Sequence, residues 1–325
     1  MTLCKIFVIR LFAVLLISLA LAGPSAAQTF PSKPLKVINS WPPGGPGDTL
    51  TRPIMTKLSE RLGQPVIIEN RPGGSAMIGA TAVARSAPDG YTLLTANVSP
   101  IAMAPAQEAK MPYDPVKDFE PITQLVSSPL VLLVRPGLPV DSLQSLIAYG
   151  KANPSKLSYG TLGNLSSTHL AGEMLLSRAG FTMLPVPYKG AAQVVTDLIG
   201  GQIDVGFINI GGAMSFIDGG KLRVLAVTTT KRSGVLPNVP AIHEFYPGYE
   251  VNSWYGMMAP AGTPKDVVER LHREFVAILQ MPEIVQLFKA NGFAAEGTTP
   301  EQFGAKIKED IPRWAEIIKT IVPAK

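Results

Sequence analysis

The sequence predicts an α/β protein with mainly parallel sheets, and three observations support this class. Strand-like apolar runs alternate with helical patterns along most of the 325 residues, as in sheets that are covered by helices on both faces. Hydrophobic residues make up 46% of the chain, which is enough to fill two cores. Glycine-rich loops follow several of the strands, at the sheet edge where such folds bind their ligands.

Residues 1–27 have the pattern of a secretory signal peptide. Lys5 belongs to a positively charged segment, Leu11–Ala22 is an apolar core, and Ala27 ends a small-residue cleavage site before Gln28. The apolar core is shorter than the roughly 20 residues that a membrane span needs. We therefore expect export of the protein and cleavage near Ala27 and Gln28.

Composition and motifs argue against several classes of function. Cys4, the only cysteine, precedes the cleavage site, so we expect no disulfide in the mature chain. The formal net charge of +5 comes without a run of Lys or Arg, which argues against a nucleic-acid or membrane-surface patch. His169, His243 and His272 lack metal-ligand spacing, and no nucleotide-binding glycine motif follows a strand. We expect no metal, no cofactor and no nucleic-acid partner.

The first predicted strand, Leu35–Ile38, leads into a cluster of Pro and Gly, Pro42–Gly47, that cannot continue it. Asp48 is a good helix N-cap residue, and a helical pattern then runs to Leu62. This order of strand, loop and helix N-terminus directs backbone N–H groups and a positive dipole end at an anion. Three alternatives stay open: the loop as a plain turn, Trp41 as a wall or a ligand surface, and Asp48 as a cap alone or also as a ligand acceptor.

Two further stretches, Val66–Ala80 and Leu157–His169, repeat this order of strand, glycine-bearing loop and helix. In the first, Ser75 is placed to cap the next helix, and Arg71 either clamps a carboxylate or pairs with Glu69. The second offers small polar side chains that suit hydrogen bonds to a carboxylate: Thr161, Asn164, Ser166 and Ser167. Three such helix N-termini without catalytic groups beside them favour capture of a small anion over its conversion.

A secreted serine hydrolase is an alternative, with Ser166 or Ser167 as the nucleophile and His169 as the base. Their close spacing at the start of a helix fits cap residues better. The GxSxG motif of many serine hydrolases is also absent from the sequence. We therefore expect a protein without enzymatic activity.

Further apolar runs predict the remaining strands, and one of them begins at Val131 after the loop-like Thr123–Pro129. The strand candidates are Val66–Glu69, Thr92–Ala96, Val131–Val134, Met183–Pro187, Asp204–Ile208, Arg223–Thr228 and Trp254–Ala259. The helix candidates among them include Asp141–Gly150, Ser167–Ala179 and Ala191–Gly200.

The chain is long enough for two domains. The loop before Val131 predicts a crossing into the second domain near residues 124–130, and the Pro- and Gly-rich stretch Leu236–Gly248 predicts the return. The predicted domains are residues 28–124 together with 251–325, and residues 125–250.

Two helices are predicted near the C-terminus of the chain. Thr263-Pro264 and Thr299-Pro300 are the signals that mark where each helix begins. Each carries an apolar stripe at helical spacing, which indicates packing against a core and no ligand role. Proline residues inside predicted helices, at Pro53 and Pro312, predict bends.

Several longer motifs occur in one order along nearly the whole mature chain: WPPGG, GQPVIIENRPGG, APDGYTLL, PYDPVKDF, LSYGTLGN, SSTHLAGE, VPYKGAAQVVTDLIGGQID, LAVTTTKRSGVLPNVPAIHE and SWYGMMAPAGTP. In this the chain resembles the tripartite tricarboxylate transporter substrate-binding proteins, also called Bug or TctC-like receptors. The resemblance implies a periplasmic, two-lobed Venus-flytrap receptor of a type II-like fold, without enzymatic activity. It also implies binding of a small organic carboxylate between the lobes and delivery to a permease with one large and one small membrane subunit. We expect a monomer. A sensory receptor for a membrane signalling partner is an alternative use of the same fold.

The resemblance also assigns ligand-binding residues position by position. The first loop contributes Trp41 and Asp48. The second loop contributes the backbone amides of Gly74, Ser75 and Ala76. The second domain contributes Thr161, Ser166, Ser167, His169, Ala191 and Asn209.

Two departures from the family pattern predict a less polar pocket. Ser75-Ala76-Met77 stands where members often have Gly-Gly-Asn, and Ile208 stands where an aspartate often precedes Asn209. An unpaired polar group against an apolar wall costs about 1–3 kcal/mol. With the flat face of Trp41 in the first loop, this predicts a monocarboxylate or dicarboxylate with an apolar or aromatic body in preference to citrate.

Overall fold

The computed structural model describes residues 30–43, 46–74, 76–106, 110–164 and 166–321. The predicted signal peptide and its cleavage site lie outside these residues, and so does Ser75.

Ten strands and nine α helices are present in the described part of the chain. The strands are β1 (Leu35–Asn39), β2 (Val66–Asn70), β3 (Thr92–Asn97), β4 (Phe119–Val134), β5 (Ser158–Thr161), β6 (Leu184–Pro187), β7 (Val205–Asn209), β8 (Arg223–Val227), β9 (Asn252–Pro260) and β10 (Ala294–Ala295). The helices are α1 (Pro46–Leu62), α2 (Met77–Ala84), α3 (Leu143–Ala152), α4 (Ser167–Ala179), α5 (Ala191–Ile199), α6 (Ile210–Asp218), α7 (Lys265–Leu279), α8 (Pro282–Ala290) and α9 (Pro300–Ile321).

The strands form one sheet in the order β2-β1-β3-β9-β4-β7-β5-β6, and β8 and β10 also pair with β4. Strand β1 is parallel to β2 and β3, and β5 is parallel to β6 and β7. The pairings of β4 and β9 with each other and with their described neighbours are antiparallel. The predicted α/β class is confirmed, but the sheet is mixed and not mainly parallel, because these two long strands lie between the parallel sets.

Strand β4 differs most from the prediction. The sequence predicts a loop over Thr123–Pro129 and a new strand from Val131, and the structure has one continuous strand there. The loop prediction is wrong, because β9 pairs with β4 from Phe119 to Pro129, and β7 pairs with it from Leu130 onward. We call the strands that lie on the side of the Phe119–Pro129 segment of β4 the first sheet half (β1, β2, β3, β9, β10). We call those on the side of the segment from Leu130 onward the second sheet half (β5, β6, β7, β8).

Local capping signals explain where the helices begin. Helix α4 has the predicted bounds, because Ser166 caps its first turn and Gly180 ends it with a left-handed φ of 69°. Helix α3 begins two residues later than the predicted Asp141, because Ser142 is its N-cap and accepts a hydrogen bond from the backbone N–H of Ser145.

The first helix corrects a prediction about Asp48. Helix α1 already begins at Pro46, so Asp48 lies in its first turn and is not the N-cap that the sequence predicts. The helix also continues past Pro53 to its end, and α9 likewise continues past Pro312.

The two C-terminal helices pack as predicted. Helix α7 buries one apolar stripe, and α9 buries Phe303, Ile307, Trp314 and Ile318. The indole Nε1 of Trp254 in β9 donates to Oδ2 of Asp310 in α9 at 2.8 Å, which ties this helix to the sheet. No helix in the described ranges is both long and apolar enough to cross a bilayer.

Candidate functional site

The carboxyl ends of β3 in the first sheet half and of β7 in the second lie at the level of the middle of β4. Strand β3 runs in the same direction as β4, since each is antiparallel to β9. Its last residue, Asn97, pairs with Tyr255, which in turn pairs with Val126 of β4. Strand β7 runs against β4, and its last residue, Asn209, pairs with Leu130. Ligands of α/β folds bind at the carboxyl ends of strands, so this level of the sheet is the candidate site.

Polar side chains mark this edge. Strands β1, β2, β3, β5 and β7 each end in a polar residue, namely Asn39, Asn70, Asn97, Thr161 and Asn209. Most of them are buried, which is unusual for amides unless hydrogen bonds satisfy them. Thr161 and Asn209 were predicted as ligand-binding residues from the sequence, and Asn39, Asn70 and Asn97 were not. A polar residue that closes an apolar run was the signal available for them.

The carboxylate of Asp48 is buried beneath the first loop, with 4% of the residue exposed. Its Oδ2 accepts from Nε of Arg52 at 2.7 Å. Its Oδ1 accepts from Nδ2 of Asn70 at 3.1 Å and lies 3.4 Å from Nδ2 of Asn39. The same ion pair and hydrogen bond raise the pKa of Arg52, so the guanidinium stays charged. The charge of Asp48 is therefore balanced inside the protein.

Trp41 is held by its backbone and packs its ring against the start of α1. Its N–H donates to Oδ1 of Asn39 at 3.3 Å, and its carbonyl accepts from Nδ2 of Asn70 at 2.9 Å. A Cβ on Gly47 would lie 2.9 Å from the indole and 3.3 Å from the ring of Tyr255, so glycine makes room for both rings. Among the described residues, none accepts a hydrogen bond from the buried indole Nε1 of Trp41.

The second loop places backbone groups at the start of α2. Gly73, Gly74 and Ala76 all have positive φ, at 117°, 55° and 72°, a conformation that costs an alanine more than a glycine. The N–H of Met77 donates to the Gly74 carbonyl at 2.9 Å. The predicted amide of Ser75 lies outside the described residues. Glycines at this loop allow a close approach of backbone to a ligand.

Arg71, next to this loop, belongs to an ion pair. Its Nε donates to Oε1 of Glu69 at 2.6 Å, and this contact lowers the pKa of Glu69. Of the two alternatives that the sequence left open, the structure shows the pair with Glu69. The Arg71 backbone N–H donates to the Asn39 carbonyl at 2.8 Å, which joins the second loop to the first strand.

The third loop uses its polar side chains to shape itself. Oγ of Ser166 accepts from the backbone N–H of His169 at 3.3 Å and donates to the Gly163 carbonyl at 2.7 Å. Oγ1 of the buried Thr161 accepts from the N–H of Gly163 at 3.3 Å. Ser167 is the first residue of α4. The Ser166 hydroxyl is therefore engaged as a helix cap, as in the cap alternative of the sequence analysis.

The imidazole of His169 is almost buried, with 8% of the residue exposed. It stacks on the ring of Tyr159 at a centroid distance of 6.3 Å, and its Nε2 lies 3.8 Å from Oε1 of Glu173. Burial lowers the pKa of His169, and the charge of Glu173 offsets this only in part. Oε1 of Glu173 also accepts from the Tyr159 hydroxyl at 2.6 Å.

The second sheet half contributes two more helix N-termini. Helix α5 begins at Ala191, and α6 begins directly after Asn209. Nδ2 of Asn209 donates to Oγ of Ser128 in β4 at 2.7 Å. Within the described residues no side chain caps α2, α5 or α6. Their first N–H groups lack intrahelical partners and stand at the positive end of the helix dipole.

Ile208 is fully buried in a core cluster with Val131 and Val194. Because successive side chains of a strand point to opposite faces, it cannot share the environment of Asn209. Ala191 packs against the same cluster, whereas Met77 is only partly buried at the start of α2. The effect of Ile208 on the polarity of the pocket stays a prediction.

Hydrogen bonds thus connect the predicted residues in three groups: Trp41 with Asp48 through Asn39 and Asn70, Thr161 with Ser166 and His169 through Gly163, and Asn209 with Ser128 of β4. All three lie at carboxyl ends of strands. No group of three or more His, Cys, Asp or Glu in the described ranges is arranged to hold a metal ion.

Comparison with known proteins connects this arrangement to one family. The model of the tripartite tricarboxylate transporter family receptor matches residues 50–322. Protein BugT of Bordetella pertussis is 36% identical, over 95% of this chain and 97% of its own. An R. palustris protein solved with adipate is 33% identical with a TM-score of 0.83, covering 90% of this chain and 98% of its own. MatC of Rhodopseudomonas palustris, solved with bound malate, is 29% identical with a TM-score of 0.80, covering 89% and 100%.

These matches confirm the resemblance that the motifs indicated. They extend over nearly the whole described chain and include both sheet halves. The chain belongs to the tripartite tricarboxylate transporter family of receptors, which are periplasmic solute-binding proteins.

Proposed function

We propose that this receptor captures a small organic carboxylate and delivers it to the permease subunits of a tripartite tricarboxylate-type transporter. The observation that carries the proposal is that α2, α5 and α6 follow the carboxyl ends of β2, β6 and β7, and that no described side chain caps them. Each offers the partial positive charge of a helix dipole to an anion, although in α2 the first N–H, that of Met77, already donates to the Gly74 carbonyl. Two of them come from the second sheet half and one from the first, so a bound anion would join the two halves.

The capture would occur by closure of two lobes, residues 28–124 with 251–325 and residues 125–250. Their proposed boundary falls at residues 124–130, and β4 changes its pairing partner between Pro129 and Leu130. The chain would return near Val251, whose N–H donates to the Thr228 carbonyl at 2.9 Å. Closure would exclude water and so strengthen each hydrogen bond to the ligand.

The ligand we propose is a monocarboxylate or dicarboxylate with an apolar or aromatic body. Two family members were solved with the dicarboxylates adipate and malate. The partly buried ring of Trp41 supplies an apolar surface beside the first loop, and Met77 supplies another at the second. Asp48 does not oppose a second carboxylate, because Arg52 balances its charge. Adipate, with four methylene groups, fits such a site better than citrate.

The family consists of solute-binding proteins, and we propose that this member has no enzymatic activity of its own. The Ser166 hydroxyl, the best candidate nucleophile, accepts from one backbone group and donates to another. We further propose a monomer that is exported to the periplasm after cleavage near Ala27 and Gln28.

A thermal-shift and calorimetric screen of the chain from Gln28 onward would test this proposal. The ligands are acetate, benzoate, malate, adipate and citrate, with glucose and lysine as chemically different controls. We expect a carboxylate with an apolar body to raise the melting temperature. At a hundredfold excess over the Kd, such a ligand raises the free energy of unfolding by about 2.7 kcal/mol. Stabilisation by glucose or lysine without a response to any carboxylate would contradict the ligand class, and consumption of the ligand would contradict the non-enzymatic role.

A further inference from the structure

We propose that Asp48 is a positioning residue that fixes Trp41 through Asn39 and Asn70, and that it does not itself bind the ligand. This inference rests on the proposed function, because it concerns the loop that would contact the carboxylate. It replaces the sequence-based expectation that Asp48 belongs to the ligand-binding residues.

The first step is the occupancy of the carboxylate. Its side chain is 6% exposed and sits against one guanidinium and two amides. A carboxylate that is buried in this way has little capacity left for a ligand group. Asp48 is therefore poorly placed to receive a hydroxyl or amine from solvent or from a bound acid.

The second step is that the two amides next to Asp48 also hold Trp41. Asn39 brings its Nδ2 to within 3.4 Å of Asp48 and accepts from the Trp41 N–H through its Oδ1. Asn70 donates through Nδ2 both to Asp48 and to the Trp41 carbonyl. Both peptide groups that flank Trp41 are thus bound by side chains that contact the same carboxylate.

The carboxylate of Asp48 also determines the orientation of the Asn39 and Asn70 side-chain amides. An ionised carboxylate only accepts hydrogen bonds, so the Nδ2 end of each amide points toward it. The Oδ1 end of Asn39 must then face the Trp41 N–H, as it does. An amide in place of Asp48 could accept or donate a hydrogen bond. It would therefore no longer favour one orientation of the Asn39 and Asn70 amides.

Arg52 completes the arrangement and removes its net charge. Its Nε donates to Asp48, and its Nη2 donates to Oδ1 of Asn70 at 3.2 Å. The Oδ1 end of Asn70 is thus fixed by a donor and its Nδ2 end by an acceptor. An anionic ligand near Trp41 would face a neutral pair and not an isolated carboxylate.

The test uses the mature protein with the substitution Asp48→Asn and, as a matched control, Asp204→Asn. Asp204 accepts from Nε of Arg135 at 2.8 Å, as Asp48 does from Arg52 at 2.7 Å, and it precedes β7, at the opposite end of that strand from Asn209. The measurements are the Kd values for adipate and malate, the melting temperature, and the NMR signal of the Trp41 backbone amide, assigned with Trp41→Phe. A purely structural role of Asp48 would lower the melting temperature in both variants without a selective effect on ligand binding.

We expect Asp48→Asn to shift or broaden the Trp41 amide signal and to weaken binding of the better ligand about tenfold, the size typical of lost supporting contacts. The control should bind within a factor of about two of the parent, since distant sites are usually independent. An unchanged Trp41 signal with unchanged or tighter binding would overturn the proposal. Tighter binding of the dicarboxylates would instead indicate that Asp48 faces the ligand and repels it.

Asn70→Ser offers a second route if Asp48→Asn does not fold. It removes the amide that links Asp48 to the Trp41 carbonyl and leaves the Asp48–Arg52 pair in place. We expect the same change in the Trp41 signal and in affinity, and an unaltered signal would overturn the proposal. If the parent itself binds no carboxylate, the proposed function fails, whereas the Trp41 signal still decides the role of Asp48.

Discussion

Gly211 in the first turn of α6 lies directly against the backbone of Asn291, and a Cβ on Gly211 would overlap the Asn291 carbonyl. Gly292, the next residue, has a φ of +63° and packs equally closely on Ile210 and on the N atom of Gly211. This contact joins the second sheet half, through α6, to the turn that leads into β10 of the first. Glycine is required on both sides of the contact because no side-chain atom fits between the two backbones.

The first prediction concerns this contact. Gly211→Ala should lower the free energy of unfolding by about 1–3 kcal/mol, because an overpacked site forces the backbones apart. Urea denaturation of the ligand-free protein measures the change. Gly234→Ala is the control, since a Cβ there would meet no described atom within 4 Å and its φ is not positive. Equal stabilities of the two variants would contradict the close packing of α6 on the turn.

The second prediction separates the two serines at the start of α4. Ser166→Ala should lower the free energy of unfolding by about 1 kcal/mol, because the helix loses its N-cap. Ser167→Ala should have little effect on stability, since Ser167 occupies the first helical position and not the cap. Denaturation curves of both variants provide the comparison. Similar losses for the two would show that the cap assignment is incorrect.

Local signals explain why part of the fold was predictable. The bounds of α4 follow from Ser166 at its start and Gly180 at its end, and both signals act within one turn of the helix. The buried stripe of α7 follows from helical spacing alone. Strand β4 was not predictable in this way, because its continuity depends on pairing with β9, more than a hundred positions further along the chain.

The same distinction between local and long-range signals applies to the residues of the candidate site. Thr161 was predicted as a small polar side chain of the third loop and Asn209 from the family resemblance, whereas Asn39, Asn70 and Asn97 were missed although they end predicted strands in the same way. The task of Asp48 depends on Asn70, which lies 22 positions away, so no local pattern reveals it. The burial of Ile208 agrees with its position in an apolar strand run, and strand periodicity directs it and its neighbour Asn209 to opposite faces.

The third prediction concerns pH. Burial lowers the pKa of His169 below its ordinary value of 6.5, so the unfolded chain takes up this proton at higher pH than the folded protein. Stability therefore rises with pH wherever the unfolded state binds more protons. The destabilising effect is absent above pH 6.5, grows as the pH falls below it, and is complete below the folded pKa.

Urea denaturation of the ligand-free parent and of His169→Phe between pH 5 and 8 tests this. Phenylalanine keeps a ring to stack on Tyr159 but does not titrate. The parent should lose more stability than the variant as the pH falls through this window. Parallel pH dependences would show that His169 titrates alike in the folded and unfolded states.

The fourth prediction concerns the ring of Trp41 as a surface for the ligand body. If the carboxylate of the ligand lies against the helix N-termini and its body against Trp41, the replacement Trp41→Phe should weaken the binding of adipate more than the binding of malate. Four methylene groups lose apolar contact in adipate, at about 0.8 kcal/mol for each fully buried CH₂, whereas the shorter and more polar malate loses less. The intrinsic fluorescence change on ligand addition should also shrink, because Trp41 is the only one of the three tryptophans placed in the first loop.

Trp314→Phe is the matched control, since Trp314 is buried in α9 with 1% exposed and packs in the core. Calorimetric Kd values for both acids with both variants decide the matter. An equal loss for adipate and malate, or tight citrate binding without a response to adipate, would show that Trp41 is a wall of the loop and not a surface for the ligand.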